Sequence, residues 1–181
     1  VGAEREARLL LRLQREGVPV VVPLQKLDGS GFTSLVQEKP VAIYPMVLGT
    51  HRCQASVSLG DVAQVGGALA RVHLVGSQLD PRDELTTASR FDWQTIAQRL
   101  RKLDRSALSD ELSAAQSLLL AGLDEVSTWH WHSGDVSLIH GDLFRDNVLF
   151  VEGASEPSLA LLDFESASSG RIAFDVMVTL L

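Results

Sequence analysis

The chain has 181 residues, of which 45% are hydrophobic, and a formal net charge of −7 at pH 7. A hydrophobic fraction of this size predicts a globular protein with a sizeable core and excludes a largely disordered chain. Residues 1–48 carry six basic against five acidic side chains and residues 49–181 carry ten against eighteen, which argues against a nucleic-acid-binding role because such proteins present basic surfaces.

Membrane and secretion signals are not visible in the sequence. We expect neither a membrane span, which needs about 18 consecutive apolar residues, nor a signal peptide. Cys53 is the only cysteine, so it forms no internal disulfide and fits a reducing cytoplasm. The acidic second part suits a metal site or an amino-bearing substrate, although a solvated acidic surface explains it as well.

The first 48 residues predict a helix followed by strands. Leucines recur at helical spacing between Glu4 and Glu16, and Gly17 with Pro19 marks the helix end. A turn is predicted at 28–31, where Gly29 and Gly31 lie. Three apolar stretches predict antiparallel strands, at residues 18–27, 32–36 and 41–47.

The remaining residues predict helices first and short strands later. Apolar residues at intervals of three and four predict a helix from Leu59 to near Gly76. Two further helices are predicted at 91–103 and 109–131, and helix resumes near Ala173. Short apolar runs between polar turns predict strands at 136–139, 148–151 and 159–162.

This order of elements predicts an α+β fold with two unequal lobes. The boundary falls near Leu48 and Gly49, so residues 1–48 form a partial first lobe with a hinge and residues 49–181 a mainly helical second lobe. The chain starts at Val1 rather than at methionine and stops at Leu181 inside an apolar run. We therefore expect it to be part of a longer protein, incomplete at both ends.

A polar loop between two predicted strands carries the residues that could take part in catalysis or metal binding. Asp142 and Asn147 lie in this loop, which begins at His140, and Asp163 follows the next strand. A loop braced at both ends fixes carboxylates well. Phosphoryl transfer needs a base for the acceptor hydroxyl and Mg²⁺ on the triphosphate, and Asp142 can supply the first while Asn147 and Asp163 are suitable oxygen ligands for the second.

The pattern His140-x-Asp142, with Asn147 five residues after the aspartate and Asp163-Phe164-Glu165 later, resembles the motif of the aminoglycoside phosphotransferase superfamily. Among its members, the chain looks most like bacterial homoserine kinases of this fold. The resemblance implies a protein-kinase-like fold that uses ATP and Mg²⁺. It makes Asp142 the catalytic base, Asn147 and Asp163 the metal ligands, and His140 a residue that shapes the catalytic loop.

The same resemblance implies roles for residues before the boundary. Glu6, rather than Glu4, is similar to the helix glutamate that pairs with an ATP-contacting lysine. Backbone groups of the hinge, at Tyr44, Met46 and Val47, would hold adenine. The family's glycine-rich loop and lysine come before this helix, so they are expected ahead of Val1; Lys26 and Lys39 lie on the wrong side of the helix to replace the lysine.

Several residues keep alternatives open. Arg145 either contacts substrate or phosphate or pairs with a neighbouring carboxylate. Glu165 follows Asp163 by two residues and on an extended segment would share its side, which leaves a role in assisting the metal open. Asp175 lies among apolar helical residues, so we expect it to bind the catalytic-loop backbone. His73 is expected to be a hydrogen-bonded core residue.

Three functional hypotheses follow. The first is an ATP- and Mg²⁺-dependent kinase that acts on a hydroxyl of a small molecule, with a homoserine-like amino alcohol favoured. The second is an aminoglycoside phosphotransferase. The third is a pseudokinase or fragment that acts as a binding module, against which the joint presence of Asp142, Asn147 and Asp163 argues.

Overall fold

The structure is a computed structural model that describes residues 2–80, 85–129, 136–153 and 158–180. Its helices are α1 (Gly2–Arg15), α2 (Leu59–Ser77), α3 (Trp93–Arg101), α4 (Asp110–Ser127) and α5 (Ile172–Thr179). Its strands are β1 (Thr33–Val36), β2 (Lys39–Ala42), β3 (Gly49–Thr50), β4 (Val136–Ile139), β5 (Val148–Val151), β6 (Ser158–Leu161) and β7 (Ser168–Arg171). The predicted α+β class is confirmed.

Three small antiparallel sheets hold the strands. β1 and β2 form a hairpin, β5 lies between β3 and β6, and β4 pairs with β7. The chain leaves the β4–β7 pair after Ile139 and enters the three-stranded sheet at Val148. The loop at 140–147 therefore joins two sheets and is held by paired strands at both ends.

Helix α1 buries one face and ends at a glycine. Its buried side chains are Ala7, Leu9, Leu10 and Leu13. Gly17 has a φ of 77°, and the N–H of Val18 donates to the carbonyl of Leu13 at 3.0 Å. A left-handed glycine that closes the last turn in this way is a common helix end, which confirms the predicted stop.

Helix α2 packs closely on the strand that leads to the polar loop. Its start is fixed by a capping box between Ser58 and Asp61. Near its end, a Cβ added to Gly76 would collide with the backbone and side chain of Leu138 on β4. Only glycine allows this approach, so α2 and β4 form a rigid support under residue 140.

One hydrophobic core joins both sides of the predicted boundary at 48–49. Leu9, Leu13 and Val20 from the first part share it with Val72 and Leu161 from the second. Burying an aliphatic side chain contributes about 1.5–3 kcal/mol relative to leaving it exposed, so this shared core fixes α1 against β6 and α2.

The strand predicted at 18–27 is wrong. Within it, the structure has only an isolated parallel bridge between Val20 and Leu161, with the N–H of Leu161 donating to the carbonyl of Pro19 at 2.7 Å. Pro19 and Pro23 have no N–H to donate, which prevents a regular ladder. Val18 and Val20 are buried in the core, whereas Leu24 and Leu27 are exposed, so only the first part of this stretch reflects burial against β6.

Two other strand limits differ from prediction. The strand expected at 41–47 is β2, which ends at Ala42; Pro45 follows shortly after. The turn predicted at 28–31 is confirmed, since the N–H of Gly29 donates to the carbonyl of Lys26 and the N–H of Lys26 donates to the carbonyl of Gly31, both at 2.9 Å. The hairpin that joins β1 and β2 turns at Gln37 and Glu38, both with positive φ. Strand β7 was not predicted, because Ser168-Ser169-Gly170-Arg171 lacks the β-branched and aromatic residues typical of strands.

The helices after α2 follow prediction with later starts. Side chains of Asp92 and Ser109 accept hydrogen bonds from the first turns of α3 and α4 and so set where these helices begin. Residues 130 and 131 of the predicted second helix lie outside the described residues. Across the part of the chain that is described, no helix combines the length and hydropathy that a bilayer crossing requires.

Candidate active site

His140, the first residue of the polar loop, is completely buried and makes two hydrogen bonds. Its Nε2 lies 2.8 Å from the carbonyl of Leu162, and the N–H of Asp142 donates to its Nδ1 at 3.3 Å. Its ring packs on Phe164 with centroids 4.4 Å apart. Burial lowers the pKa of His140, so the neutral ring donates at Nε2 and accepts at Nδ1. The residue holds the loop in shape and has no surface for a substrate.

Asp175 on α5 accepts hydrogen bonds from the first two residues of the loop. Its two carboxylate oxygens accept the N–H groups of His140 at 2.9 Å and Gly141 at 2.8 Å. The Nε2 of His73, also buried, lies 2.8 Å from the same carboxylate. The predictions that Asp175 binds the loop backbone and that His73 is a bonded core histidine are therefore confirmed.

Asn147 connects the base candidate to the next strand. Its side-chain Nδ2 donates to the carbonyl of Asp142 at 2.8 Å, and its own carbonyl accepts the N–H of Leu162 at 2.9 Å. Because Nδ2 is used in this way, Oδ1 is the side-chain atom available to a ligand. The bond to Leu162 also brings the loop next to Asp163.

Asp163 has an unusual backbone. Its φ is 59°, a left-handed conformation that costs a non-glycine residue about 1–3 kcal/mol. The buried ring of Phe164, packed on His140, holds the chain in this position. Strain of this kind is common where a side chain must point in one required direction. The Asp163 side chain is exposed and free to bind a cation.

Glu6 and Tyr44, distant in sequence from Asp163, lie close to it in space. Burial, followed by the charges of Asp163 and Glu165, raises the pKa of Glu6. Burial, followed by the charges of Glu6 and Asp163, raises the pKa of Tyr44. The charge of Arg5 offsets part of the rise in the pKa of Glu6, but among the described residues no lysine or arginine forms an ion pair with these carboxylates. The group therefore keeps a net negative charge.

Glu4 has a different environment from Glu6. Its carboxylate accepts the backbone N–H groups of Phe32 and Thr33, both at 3.0 Å, and the Thr33 hydroxyl at 2.9 Å. Burial alone raises the pKa of Glu4, but these hydrogen bonds outweigh it and lower the pKa. Glu4 fixes the start of β1, whereas Glu6 faces the acidic group.

The other predicted site residues lie further from this group. Met46 is 88% exposed and Val47 is half-buried, and no described contact joins either of them to Asp163. Arg145 is exposed and lines a cavity of about 450 Å³ with Arg52, Phe150 and His73. Within the described ranges, Arg145 has no carboxylate partner.

The donor set fits Mg²⁺ bound together with a polyphosphate. In the described part of the chain, no group of three or more His, Cys, Asp or Glu side chains could hold a metal alone. Asn147 Oδ1 and the Asp163 carboxylate are hard oxygen donors, and Mg²⁺ usually takes only one or two carboxylates with phosphate and water. The net negative charge near Glu6 would also favour a divalent cation.

Two positions near the loop were not predicted. Gly141 has a φ of 81°, and a Cβ there would lie 2.9 Å from the carbonyl of Ser166. Arg90 donates to the Ser166 hydroxyl at 2.8 Å. A glycine beside the aspartate of the polar loop is a signal that could have identified Gly141. An arginine in a polar stretch before a helix gives no comparable signal for Arg90.

Comparison with known proteins gives a consistent family. A model described as "Phosphotransferase enzyme family" matches residues 1–181. The homoserine kinase of Bartonella tribocorum is 30% identical over 173 residues, covering 96% of this chain and 51% of that protein. The homoserine kinase of Burkholderia multivorans is 32% identical over 181 residues, covering 94% and 51%.

A solved structure supports the fold independently. The amicoumacin kinase hAmiN, in complex with AMP-PNP, Ca²⁺ and Ami, aligns with a TM-score of 0.75 at 15% identity, covering 97% of this chain and 51% of that one. At this identity the similarity establishes a kinase-like fold alone. The chain spans about half the length of the curated relatives that it matches.

Proposed function

The chain belongs to the phosphotransferase enzyme family, and on this premise we propose that it transfers the terminal phosphoryl group of ATP to a hydroxyl of a small molecule. The observation that carries the proposal is the backbone bond between Leu162 and Asn147. It brings Asp142, Asn147 and Asp163 onto neighbouring segments, where the transfer needs a base and two oxygen ligands.

Asp142 acts as the base in this proposal. Its carboxylate takes the proton of the acceptor hydroxyl while the hydroxyl oxygen bonds to the terminal phosphorus and the bond to the bridging oxygen breaks, which leaves ADP. His140 and Asn147 hold the Asp142 backbone through the bonds at 3.3 Å and 2.8 Å. Fixing the base in this way supplies orientation before substrate arrives.

Asn147 and Asp163 would hold Mg²⁺, which, when bound, offsets the charge of the triphosphate. Glu6 lies close enough to Asp163 to share its electrostatic field, and we propose that it pairs with a lysine that contacts ATP. Residues 1–48 would form the nucleotide side of the enzyme, with backbone groups at Tyr44, Met46 and Val47 against adenine, and residues 49–181 the acceptor side. Arg145, exposed beside Asn147, would contact substrate or phosphate.

We propose a homoserine-like amino alcohol as the acceptor. The two homoserine kinases share 30% and 32% identity with the chain, whereas the structural neighbour at 15% identity supports the fold only. The acidic charge of residues 49–181 suits an ammonium group on the acceptor.

A panel of acceptors tests this proposal in the complete protein. ADP release is measured with homoserine, choline, methylthioribose and kanamycin at fixed ATP and Mg²⁺, with a reaction without acceptor as the control. We expect kcat/KM to be highest with homoserine. Preference for kanamycin would change the proposed acceptor from an amino alcohol to an aminoglycoside. The absence of acceptor-dependent ADP release would contradict the proposed activity.

A further inference from the structure

Arg90 is held beside the catalytic loop by a short backbone ladder. The N–H of Ser169 donates to the carbonyl of Thr87 at 2.7 Å, and the N–H of Ser89 donates to the carbonyl of Ser169 at 2.9 Å. Residues 87–89 therefore run along β7, with a parallel bridge between Ala88 and Ser169. Since β7 pairs with β4, the backbone before Arg90 has a fixed position relative to the polar loop.

The guanidinium of Arg90 is held on two sides. Its Nη2 donates to the hydroxyl of Ser166 at 2.8 Å, and its Cζ lies 4.8 Å from the centroid of the Phe91 ring. Phe91 in turn stacks on Phe174, with centroids 5.0 Å apart and an angle of 19° between the rings. An arginine ordered in this way loses little conformational freedom when it binds a ligand.

The anchor of Arg90 touches the residue before the proposed base. Ser166 is buried, and a Cβ added to Gly141 would lie 2.9 Å from its carbonyl oxygen and 3.4 Å from its Cβ. Arg90 is bonded to Ser166, Ser166 packs on Gly141, and Gly141 precedes Asp142. The guanidinium is therefore held beside the start of the loop, next to the residue that precedes Asp142.

The guanidinium of Arg90 has N–H donors that Ser166 does not use. A guanidinium has five N–H groups, and Ser166 takes one of them. Among the described residues, no carboxylate forms an ion pair with Arg90. The planar fork of a guanidinium matches a carboxylate, which accepts two parallel hydrogen bonds. Asp142 directly follows Gly141 and Glu165 directly precedes Ser166, and their carboxylates suit the ammonium group of an amino acid.

We propose that Arg90 binds the α-carboxylate of an amino-acid acceptor and thereby selects hydroxy amino acids over amino alcohols that lack a carboxylate. The inference rests on the proposed kinase function and adds a specificity residue to it. Ser166, Phe91 and Phe174 act as positioning residues that keep the guanidinium in place.

The test compares two acceptors that differ only in the carboxylate, homoserine and 3-amino-1-propanol, in the complete protein. The ratio of kcat/KM between them is measured for wild type, Arg90→Gln and Arg90→Lys. Loss of hydrogen bonds to a charged group weakens binding about 10- to 100-fold, so we expect Arg90→Gln to lower the ratio by that factor, mainly through KM for homoserine. Arg90→Lys, which keeps the charge, should lower it less.

A matched control and the contrary outcomes are available in the same chain. Arg101→Gln removes an arginine that pairs with Asp124 on the surface of α3 and α4, and it should leave the ratio unchanged. Equal losses on both acceptors would leave the ratio unchanged and show that Arg90 only supports the loop, and no loss on either acceptor would show that Arg90 does not touch the carboxylate. Either result overturns the inference while the kinase function stands. Absence of turnover by wild type with both acceptors would overturn the inference, and the acceptor panel described above would then decide separately whether the kinase function stands.

Discussion

The loop at 140–147 and the segment at 43–48 are held in opposite ways. In the loop, His140 and Leu143 are at most 1% exposed, and two backbone N–H groups are bound by a buried carboxylate. In the segment, Met46 is 88% and Leu48 72% exposed, and backbone bonds from Leu24 to Ile43 and from Glu152 to Leu48 hold its two ends.

This difference separates two kinds of requirement. A group that moves a proton must be positioned within a fraction of an ångström, which buried hydrogen bonds achieve before any ligand arrives. A flat nucleobase such as adenine can be held by backbone groups and apolar side chains. Exposed apolar side chains of this kind mark binding or packing surfaces. Changes in the loop should therefore affect rate or stability strongly, and changes in the segment should affect nucleotide affinity alone.

The largest effect is expected at the base. Asp142→Asn keeps the shape of the side chain but cannot take a proton, so we expect kcat to fall about 10³-fold, within the usual range for a general base. Nucleotide affinity, measured by calorimetry, should stay within about twofold because the change leaves the metal ligands intact.

Asp146→Asn is the matched control for this change. Asp146 is an exposed carboxylate in the same loop, and its replacement should leave kcat nearly unchanged. Normal turnover by Asp142→Asn would show that another group is the base.

The next effect concerns the support under the loop. Asp175→Ala leaves two buried N–H groups without acceptors and His73 without its partner, so we expect a loss of about 3 kcal/mol in the free energy of unfolding. Urea denaturation followed by circular dichroism measures it. Asp124→Ala, which removes an exposed partner of Arg101, should cost less than about 1 kcal/mol; equal losses in the two variants would mean that the buried bonds contribute little.

Much of the loop and its support could be predicted because the signals are local. Apolar runs on both sides of a polar stretch predict strands around it, and a carboxylate such as Asp175 among apolar helical residues must find donors. Both predictions hold. The expectation that Glu6 rather than Glu4 pairs with an ATP-contacting lysine came from the family resemblance and stays a prediction. The proximity of Glu6 to Asp163 could not be predicted, because helical spacing does not say which of two neighbouring glutamates points to a residue far along the chain.

Arg90 and β7 show where local signals end. The stretch Ser168-Ser169-Gly170-Arg171 becomes a strand because β4 lies beside it, and residues 87–89 become ordered because β7 is there. Each of these positions depends on a partner distant in sequence. The predicted strand at 18–27 failed for a related reason, since Val18 and Val20 are buried by packing on distant residues while two prolines prevent a ladder.

A smaller effect is expected at Glu6 on α1, where a substitution should stabilise the fold rather than destabilise it. Because burial and the charges of Asp163 and Glu165 raise the pKa of Glu6 above 4.5, its ionised form costs folding free energy as the pH rises from that value through the folded pKa. Glu6→Gln removes this cost, so we expect unfolding free energy at pH 7 to rise by about 0.5 kcal/mol, with no gain at pH 4. Its kcat/KM for ATP should fall about tenfold, because the triphosphate loses a positioning group.

Glu4→Gln supplies the matched contrast two residues away. Hydrogen bonds lower the pKa of Glu4 against the effect of burial, so its stabilisation is present above the unfolded pKa and is lost as the pH falls through the folded pKa. This variant should be less stable than wild type at pH 7, and urea denaturation at pH 7 and pH 4 measures both. Destabilisation by Glu6→Gln at pH 7 would mean that Glu6 is a structural residue like Glu4.

The smallest effect is expected at the exposed segment. Met46→Ala removes a side chain that is 88% exposed, so the free energy of unfolding should change by less than about 0.5 kcal/mol. If the segment covers adenine, KM for ATP should rise about two- to fourfold, because each lost methylene contact is worth about 0.8 kcal/mol when buried by the base. Met177→Ala, at a 60% exposed methionine on α5, should change neither quantity. A rise in KM for the acceptor rather than for ATP would place Met46 on the acceptor side. It would then contradict the assignment of catalysis to the buried loop and of nucleotide binding to the exposed segment.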